Sequence, residues 1–159
     1  MSNPTLARDA AVGLRAGALL SLVAAVAWVT GAPAVFPSLG PSAFVLATAD
    51  SRPDGDVVIG GHAVGVAAGL VAYSIAVALV TVPAAPLSFE PPWLVLSGIA
   101  AVALTTFGMR VTDLVHPPAC ATTLIVALGL LEPRPAVLVM LPAVASLLVV
   151  DRALDALSP

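Results

Sequence analysis

Leu114-Val115-His116-Pro117-Pro118-Ala119-Cys120-Ala121-Thr122-Thr123 is the stretch on which the reading of this chain turns. It places a histidine, two prolines and small polar residues in the middle of membrane-grade hydrophobicity, after which the chain resumes as an apolar helix. Phe36-Pro37-Ser38-Leu39-Gly40-Pro41-Ser42-Ala43 does the same in the first half. Proline inside a helix costs roughly 3 kcal/mol, because it loses a backbone hydrogen bond and clashes with the preceding turn. In lipid such a defect survives only where protein or a water-filled cavity shields it. Two broken segments, one per half, point to a binding site near the bilayer midplane.

Composition fixes the class. Of 159 residues, 60% are hydrophobic and 9% charged, with a mean hydropathy of +1.08. Soluble domains carry about 25% charged residues, so the sequence reads as one integral membrane domain over 1–159, with the lipid bilayer as its first partner. The net charge of −3 is spread over loops, which argues against nucleic acid as a partner. Lysine is absent, and seven Asp outnumber two Glu, a weak sign of a GC-rich genome. Arg8 and Arg15 before an apolar run ending Ala25-Val26-Ala27 have the layout of a signal peptide. The membrane reading does not depend on that point.

Six apolar segments follow, at about 12–31, 33–49, 57–82, 92–110, 114–131 and 135–151, the second and fifth being the broken ones. The charge sits in the short connections: Asp50 to Asp56, Glu90, Arg110 to Asp113, and Glu132-Pro133-Arg134. If all six segments cross, Arg8, Arg15, Arg52, Arg110 and Arg152 share one side and Arg134 takes the other. If the broken segments are re-entrant and only four cross, the arginines divide three and three. Arginine excess marks the cytoplasmic side, so the uneven split favours six crossings in the cell membrane with both termini in the cytoplasm. Pro41 and Pro118 align at an offset of 77, and Pro53 and Pro133 at 80. The expected fold is therefore all-α, with two inverted three-segment repeats at roughly 8–82 and 91–158, and with four spans plus two re-entrant segments as the alternative.

The chemistry of the breaks follows from helix ends. With Pro41 and Pro118 in first turns, segments two and five become half-helices whose N-termini face each other. Each end offers free N–H groups and about half a positive charge, a ready anion site. The expected donors are the N–H groups of Ser42, Ala43 and Phe44 on one side and of Ala119, Cys120 and Ala121 on the other. Ser38, Ser42, Thr122 and Thr123 add hydroxyls, and Gly40, Pro41, Pro117 and Pro118 shape the breaks. Few fixed cations are at hand, so a small monovalent inorganic anion is favoured over a multivalent one. His116 is either a proton carrier or a neutral ring that bonds exposed backbone.

Gly61, Gly65 and Gly69, four apart, form a small-residue face for close helix packing. His62 beside them reads first as an interhelical hydrogen bond and second as a pathway residue. Arg110 and Asp113 read as a surface ion pair, and Arg52 with Asp50, Asp54 and Asp56 as a solvated loop. Cys120 is the only cysteine, so no internal disulfide forms. No spacing supports a metal site, no cofactor is implied, and no catalytic constellation marks an enzyme.

Three pieces in order resemble the HPP family of integral membrane proteins: the Phe36 to Ala43 stretch, Ile59-Gly60-Gly61-His62 with Gly65, and His116-Pro117-Pro118-Ala119. The similarity covers nearly the whole chain. Cys120 stands where the family usually has glycine, and Arg52-Pro53-Asp54-Gly55-Asp56 departs from the family's loop. The family is usually described with four spans, against the six segments read here. Some plant and cyanobacterial relatives are associated with nitrite transport, so the resemblance implies a small-anion transporter. The expected function is transport of a monovalent anion, nitrite or nitrate foremost, with a non-transporting sensor or scaffold as the alternative. A chain this short has little interior to shield a pathway, so a homo-oligomer with one pathway per protomer is expected.

Overall fold

The computed structural model describes residues 4–79 and 93–157. The linker containing Glu90, and the ends of the two segments it joins, lie outside the described residues. The elements are all helical: α1 (Pro4–Thr30), α2 (Val35–Thr48), α3 (Gly55–Leu79), α4 (Trp93–Val111), α5 (Ala119–Ala127), α6 (Pro133–Leu138) and α7 (Met140–Ala156). Four helical stretches are long and apolar enough to cross a membrane: Thr5–Thr30, Gly55–Leu79, Trp93–Val111 and Pro133–Ala156, the last combining α6 and α7. Val35–Thr48 is a shorter apolar helix. At 1.5 Å per residue its 14 residues reach about 21 Å, and the nine of α5 about 14 Å, against a hydrocarbon core of about 30 Å.

Successive segments alternate in direction. Ala18 of α1 and Ala47 of α2 line one cavity, and Ala27 and Trp28 line another with Pro33 and Phe36, so α2 runs back along α1. Leu79 of α3 shares a groove with Trp93 of α4, and Val64 stands against Gly108, so α3 and α4 are antiparallel. Further along, α5 follows α3, with His116 beside Gly61, Ala119 beside Gly65 and Val126 beside Gly69. The last pair, α6 and α7, returns, bringing Leu148 and Arg152 to Gly55.

Ion pairs tie one end of the bundle. Arg15 donates to the Asp151 carboxylate through Nε at 3.1 Å and Nη2 at 2.5 Å, and to Asp155 at 2.7 Å. Arg52 completes the set with Asp151 at 3.8 Å and with Asp155. Arg8 approaches Asp50 at 4.0 Å, a fully exposed pair of little energetic weight. Arg52 is therefore not the solvated loop residue expected from its neighbours; it pairs with α7. Arg110 and Asp113 are both exposed, as expected, but among the described residues no ion pair joins them. Asp113 takes a left-handed φ of 55° and ends α4, with the Leu114 N–H bonded to the Met109 carbonyl at 3.0 Å.

Two helix starts explain the broken segments. α2 begins at Val35, not at Pro41. Pro37 is the first-turn proline, where no N–H is needed; Pro41 lies inside the helix. The two prolines are four apart and share the exposed face, while Ser38, Leu39, Ser42 and Ala43 are buried on the other. α5 begins at Ala119, as expected from Pro118.

The glycine face is where α3 and α5 meet. A Cβ on Gly61 would lie 2.7 Å from the His116 Cβ, and one on Gly65 would lie 2.9 Å from the Ala119 carbonyl oxygen. At Gly69 it would lie 2.8 Å from the Val126 Cβ. Gly40 has nothing within 4 Å. Overpacking costs about 1–3 kcal/mol, whereas alanine for an uncrowded helical glycine gains about 0.5–1 kcal/mol. Gly65→Ala should thus unfold at a lower temperature than the wild type in detergent, and Gly40→Ala at an equal or higher one. Equal melting of the two variants would show that the α3–α5 contact is not close.

Candidate functional site

Where α2, α3 and α5 meet, the bundle buries a set of polar side chains. Ser38, Ser42, His62, Thr105, Thr122 and Thr123 are fully buried and His116 nearly so. His62 lies seven residues, about 10 Å of helix, from the start of α3. If α3 crosses the bilayer from its first turn, that depth falls inside the hydrocarbon, where each polar group must find a protein partner.

The partners form one chain. Ser38 Oγ and Thr122 Oγ1 are 2.7 Å apart, and Thr122 Oγ1 is 2.7 Å from His62 Nδ1. On the other side of the ring, His62 Nε2 is 2.9 Å from Ser42 Oγ, which lies 3.1 Å from His116 Nε2. Ser38 also donates to the Met140 sulfur at 3.6 Å, a weak acceptor that ends the chain. The two imidazoles are tilted by 53°, with centroids 5.3 Å apart. A satellite pair, Thr105 and Thr123 at 2.8 Å, joins α4 to α5, and Thr123 donates to the Ala119 carbonyl at 3.2 Å. Among the described residues no buried side-chain N or O lacks a partner.

Local sequence explains each placement. Ser38 and Ser42 are four apart and share the inner face of α2. Thr122 and Thr123 stand within the first turns of α5, Thr122 toward His62 and Thr123 toward α4. His116 reaches Ser42 because Gly61 lets its backbone close on α3. Pro117 carries the ring's backbone on the outer side and is exposed.

The expected site therefore divides. Ser38, Ser42, His116 and Thr122 come together in the chain, with Thr123 adjacent. Ala43 and Ala119 are buried beside it, and Cys120, Ala121 and Pro118 are half-buried. Gly40 is half-buried and Pro41 exposed on the outer side of α2, away from the cluster. The facing half-helix N-termini are not formed. Ser42, Ala43 and Phe44 lie within α2, where N–H groups serve the helix ladder. At α5 the N–H groups of Ala119, Cys120 and Ala121 already donate to the carbonyls of His116, Pro117 and Pro118, at 3.0, 3.0 and 3.1 Å. A tight first turn has used the donors an anion would need.

His62, read from sequence first as an interhelical hydrogen bond, makes two, to Ser42 of α2 and Thr122 of α5, and is the hub of the chain. Thr105 and Met140 were not singled out by sequence reading. The Thr105-Thr106 pair inside an apolar segment is the signal for the first; nothing in the sequence marks Met140.

The model of the HPP transmembrane region matches residues 2–156, and the chain belongs to that family of membrane proteins. No curated protein and no solved structure matches the chain.

A buried hydrogen-bond acceptor or donor stripped of its partner costs about 1–3 kcal/mol. Thr122→Val keeps the shape of the side chain, orphans His62 Nδ1 and leaves Ser38 only the weak Met140 sulfur. It is expected to lower the midpoint of thermal unfolding by several degrees, whereas Pro41→Ala, on the outer face, should not lower it. A Thr122→Val protein as stable as the wild type would mean that the chain does not hold the three helices together.

Proposed function

Starting from an HPP-family membrane protein, we propose that this chain transports a small monovalent anion, nitrite or nitrate foremost, through the cluster of Ser38, Ser42, His62, His116 and Thr122. The observation that carries the reading is a buried, uncharged, hydrogen-bonded set of side chains at membrane depth. Polar groups there are expensive and mark pathways by default. Hydroxyl and imidazole donors suit oxygen acceptors on a small anion. The absence of a fixed cation in the set disfavours multivalent anions, whose desolvation is far more costly. Binding and passage need no covalent step, so the protein is read as a transporter and not an enzyme.

Six crossings go with this function. The alternation of helix direction supports it, as does the pairing of Arg52 with Asp151, which draws the 49–54 loop to the end that holds both α1's start and α7's finish. Arg8, Arg15, Arg52 and Arg152 gather there, which favours a cytoplasmic position for that end. The inverted repeat has support in the packing. Exchanging α1 with α4, α2 with α5 and α3 with α7 turns α1–α2 into α4–α5, α3–α5 into α7–α2, and α1–α7 into α4–α3, all of which are packed pairs. The short second helix of each half then meets the other at the centre, beside the cluster. Closure of the cluster to both ends fits a carrier that opens to one side at a time. A homo-oligomer with one such site per protomer completes the reading.

Reconstituted into liposomes, the protein should give saturable flux of one monovalent anion among nitrite, nitrate, formate and chloride, with sulfate excluded. His116→Ala should reduce that flux at least tenfold. No flux for any anion from folded, inserted protein would overturn transport in favour of a sensor or scaffold. Single cysteines introduced at 50–56 and 132–134, in a Cys120→Ser background, should label from opposite faces of the membrane. Labelling of both from one face would exclude six crossings.

A further inference from the structure

We propose that Ser42 relays a proton between His116 and His62, and that this relay couples each transported anion to one proton. The inference rests on the transport reading above and adds the coupling ion to it. It comes from counting hydrogens along the chain. A serine hydroxyl has one hydrogen, and Ser42 Oγ is within bonding distance of Nε2 on both rings, at 2.9 and 3.1 Å. With both rings neutral it donates to one Nε2 and accepts from the other. The two histidines must then hold opposite tautomers. If His116 carries its hydrogen on Nε2, His62 carries its own on Nδ1 and donates to Thr122, which donates to Ser38, which donates to the Met140 sulfur. If the direction is reversed, Ser38 donates to Thr122, Thr122 to His62 Nδ1, His62 Nε2 to Ser42, and Ser42 to His116. From Ser38 to His116 every link holds one hydrogen in both directions, and only the weak Ser38–Met140 contact is given up in the second, so the chain has two self-consistent polarities.

One added proton switches between them. A proton taken up at Nδ1 of His116 makes that ring a cation. Its Nε2 proton passes to Ser42 Oγ as the Ser42 hydrogen passes to His62 Nε2. His116 is left neutral in the other tautomer, Ser42 is regenerated, and His62 becomes the cation. Release of the Nδ1 proton from His62 leaves the chain in its second polarity, and tautomer exchange of the two rings with rotation of the hydroxyls returns it to the first. The pair holds one proton and not two, because like charges with centroids 5.3 Å apart repel strongly in a medium with little water.

Among the described residues, the two rings are the only titratable cationic groups in the cluster. α2 presents Ser42, α5 presents Thr122 and carries a half-buried Cys120 two residues before it, and α7 presents Met140. Arg110 stands at the end of α4. Arg15, Arg52, Asp151 and Asp155 bond one another at the end of the bundle. An anion entering the cluster therefore finds compensating charge only when the pair has taken up its proton, and an anion moving with one proton carries no net charge.

The test begins with nitrogen-15 NMR of histidine-labelled protein in lipid, which is clean because the chain has two histidines. His62→Gln and His116→Gln variants assign the two rings. In the neutral wild type one ring is expected as the Nδ1–H tautomer and the other as Nε2–H, and Ser42→Ala should break that opposition. Two rings in the same wild-type tautomer would overturn the relay. In liposomes that take up the anion, lumenal acidification should match anion entry one for one, and clamping the membrane potential should leave the rate unchanged. Ser42→Ala should lower proton entry at least tenfold. Anion entry without acidification, or entry driven by potential, would overturn the coupling. Opposite tautomers in a protein without anion flux would leave the relay standing and remove the transport reading instead.

Discussion

Lipid supplies no hydrogen bonds, and most of this structure follows from that constraint. Each polar group the chain carries to membrane depth has to find a protein partner, and the partners available are a handful of hydroxyls, two imidazoles and one thioether. The result is a chain in which Ser38, Thr122, His62, Ser42 and His116 are bonded in series. No member can be removed without orphaning its neighbours. A series arrangement also has direction, because each hydroxyl holds a single hydrogen. Structural satisfaction and chemical capacity thus come from the same bonds.

Close approach of two backbones makes the series geometrically possible. Gly61, Gly65 and Gly69 let the segment from His116 to Val126 lie directly on α3. Van der Waals packing of this kind is the main attraction between helices in lipid, where burying apolar surface gains little. The short length of α5 is then no weakness: its ends are held by α3 and α4, and its first-turn donors are satisfied by the carbonyls of the His-Pro-Pro step. The same tight turn withdraws those donors from any ligand, which shifts recognition from backbone dipoles to side chains.

Much of this was legible in the sequence. The apolar segments are set by composition, and helix-length runs between charged loops leave few alternatives. The glycine face was readable because spacing of four places residues on one side of a helix. Ser38, Ser42, Thr122 and His116 stood out as polar residues in broken apolar runs. The start of α2 was not legible, because Pro37 and Pro41 both qualify as first-turn residues and only tertiary packing selects the earlier one. The interhelical bonding of His62 was legible, but its partners were not, for a related reason. A buried histidine beside a glycine face is compatible with simple packing, and its role as hub depends on Thr122 and Ser42 arriving from two other helices. Arg52 paired with α7 and not with its acidic neighbours, since local charge composition says nothing about an aspartate a hundred residues away.

Charge distribution closes the argument. Asp151 is almost fully buried, yet it sits at the end of the bundle with Arg15 and Arg52, where a cluster of opposite charges is satisfied without loading the interior. The centre is left with groups whose charge is optional. A fixed arginine there would hold an anion in every conformation and oppose its release. An imidazole offers positive charge only while protonated, so under the proposed function affinity for an anion would rise and fall with the proton. By linkage the anion in turn strengthens proton binding by the same factor. For the proposed transport, a site that loads on one side and unloads on the other needs a charge that can be taken away, and the two histidines of the chain stand in the buried cluster where they could supply it.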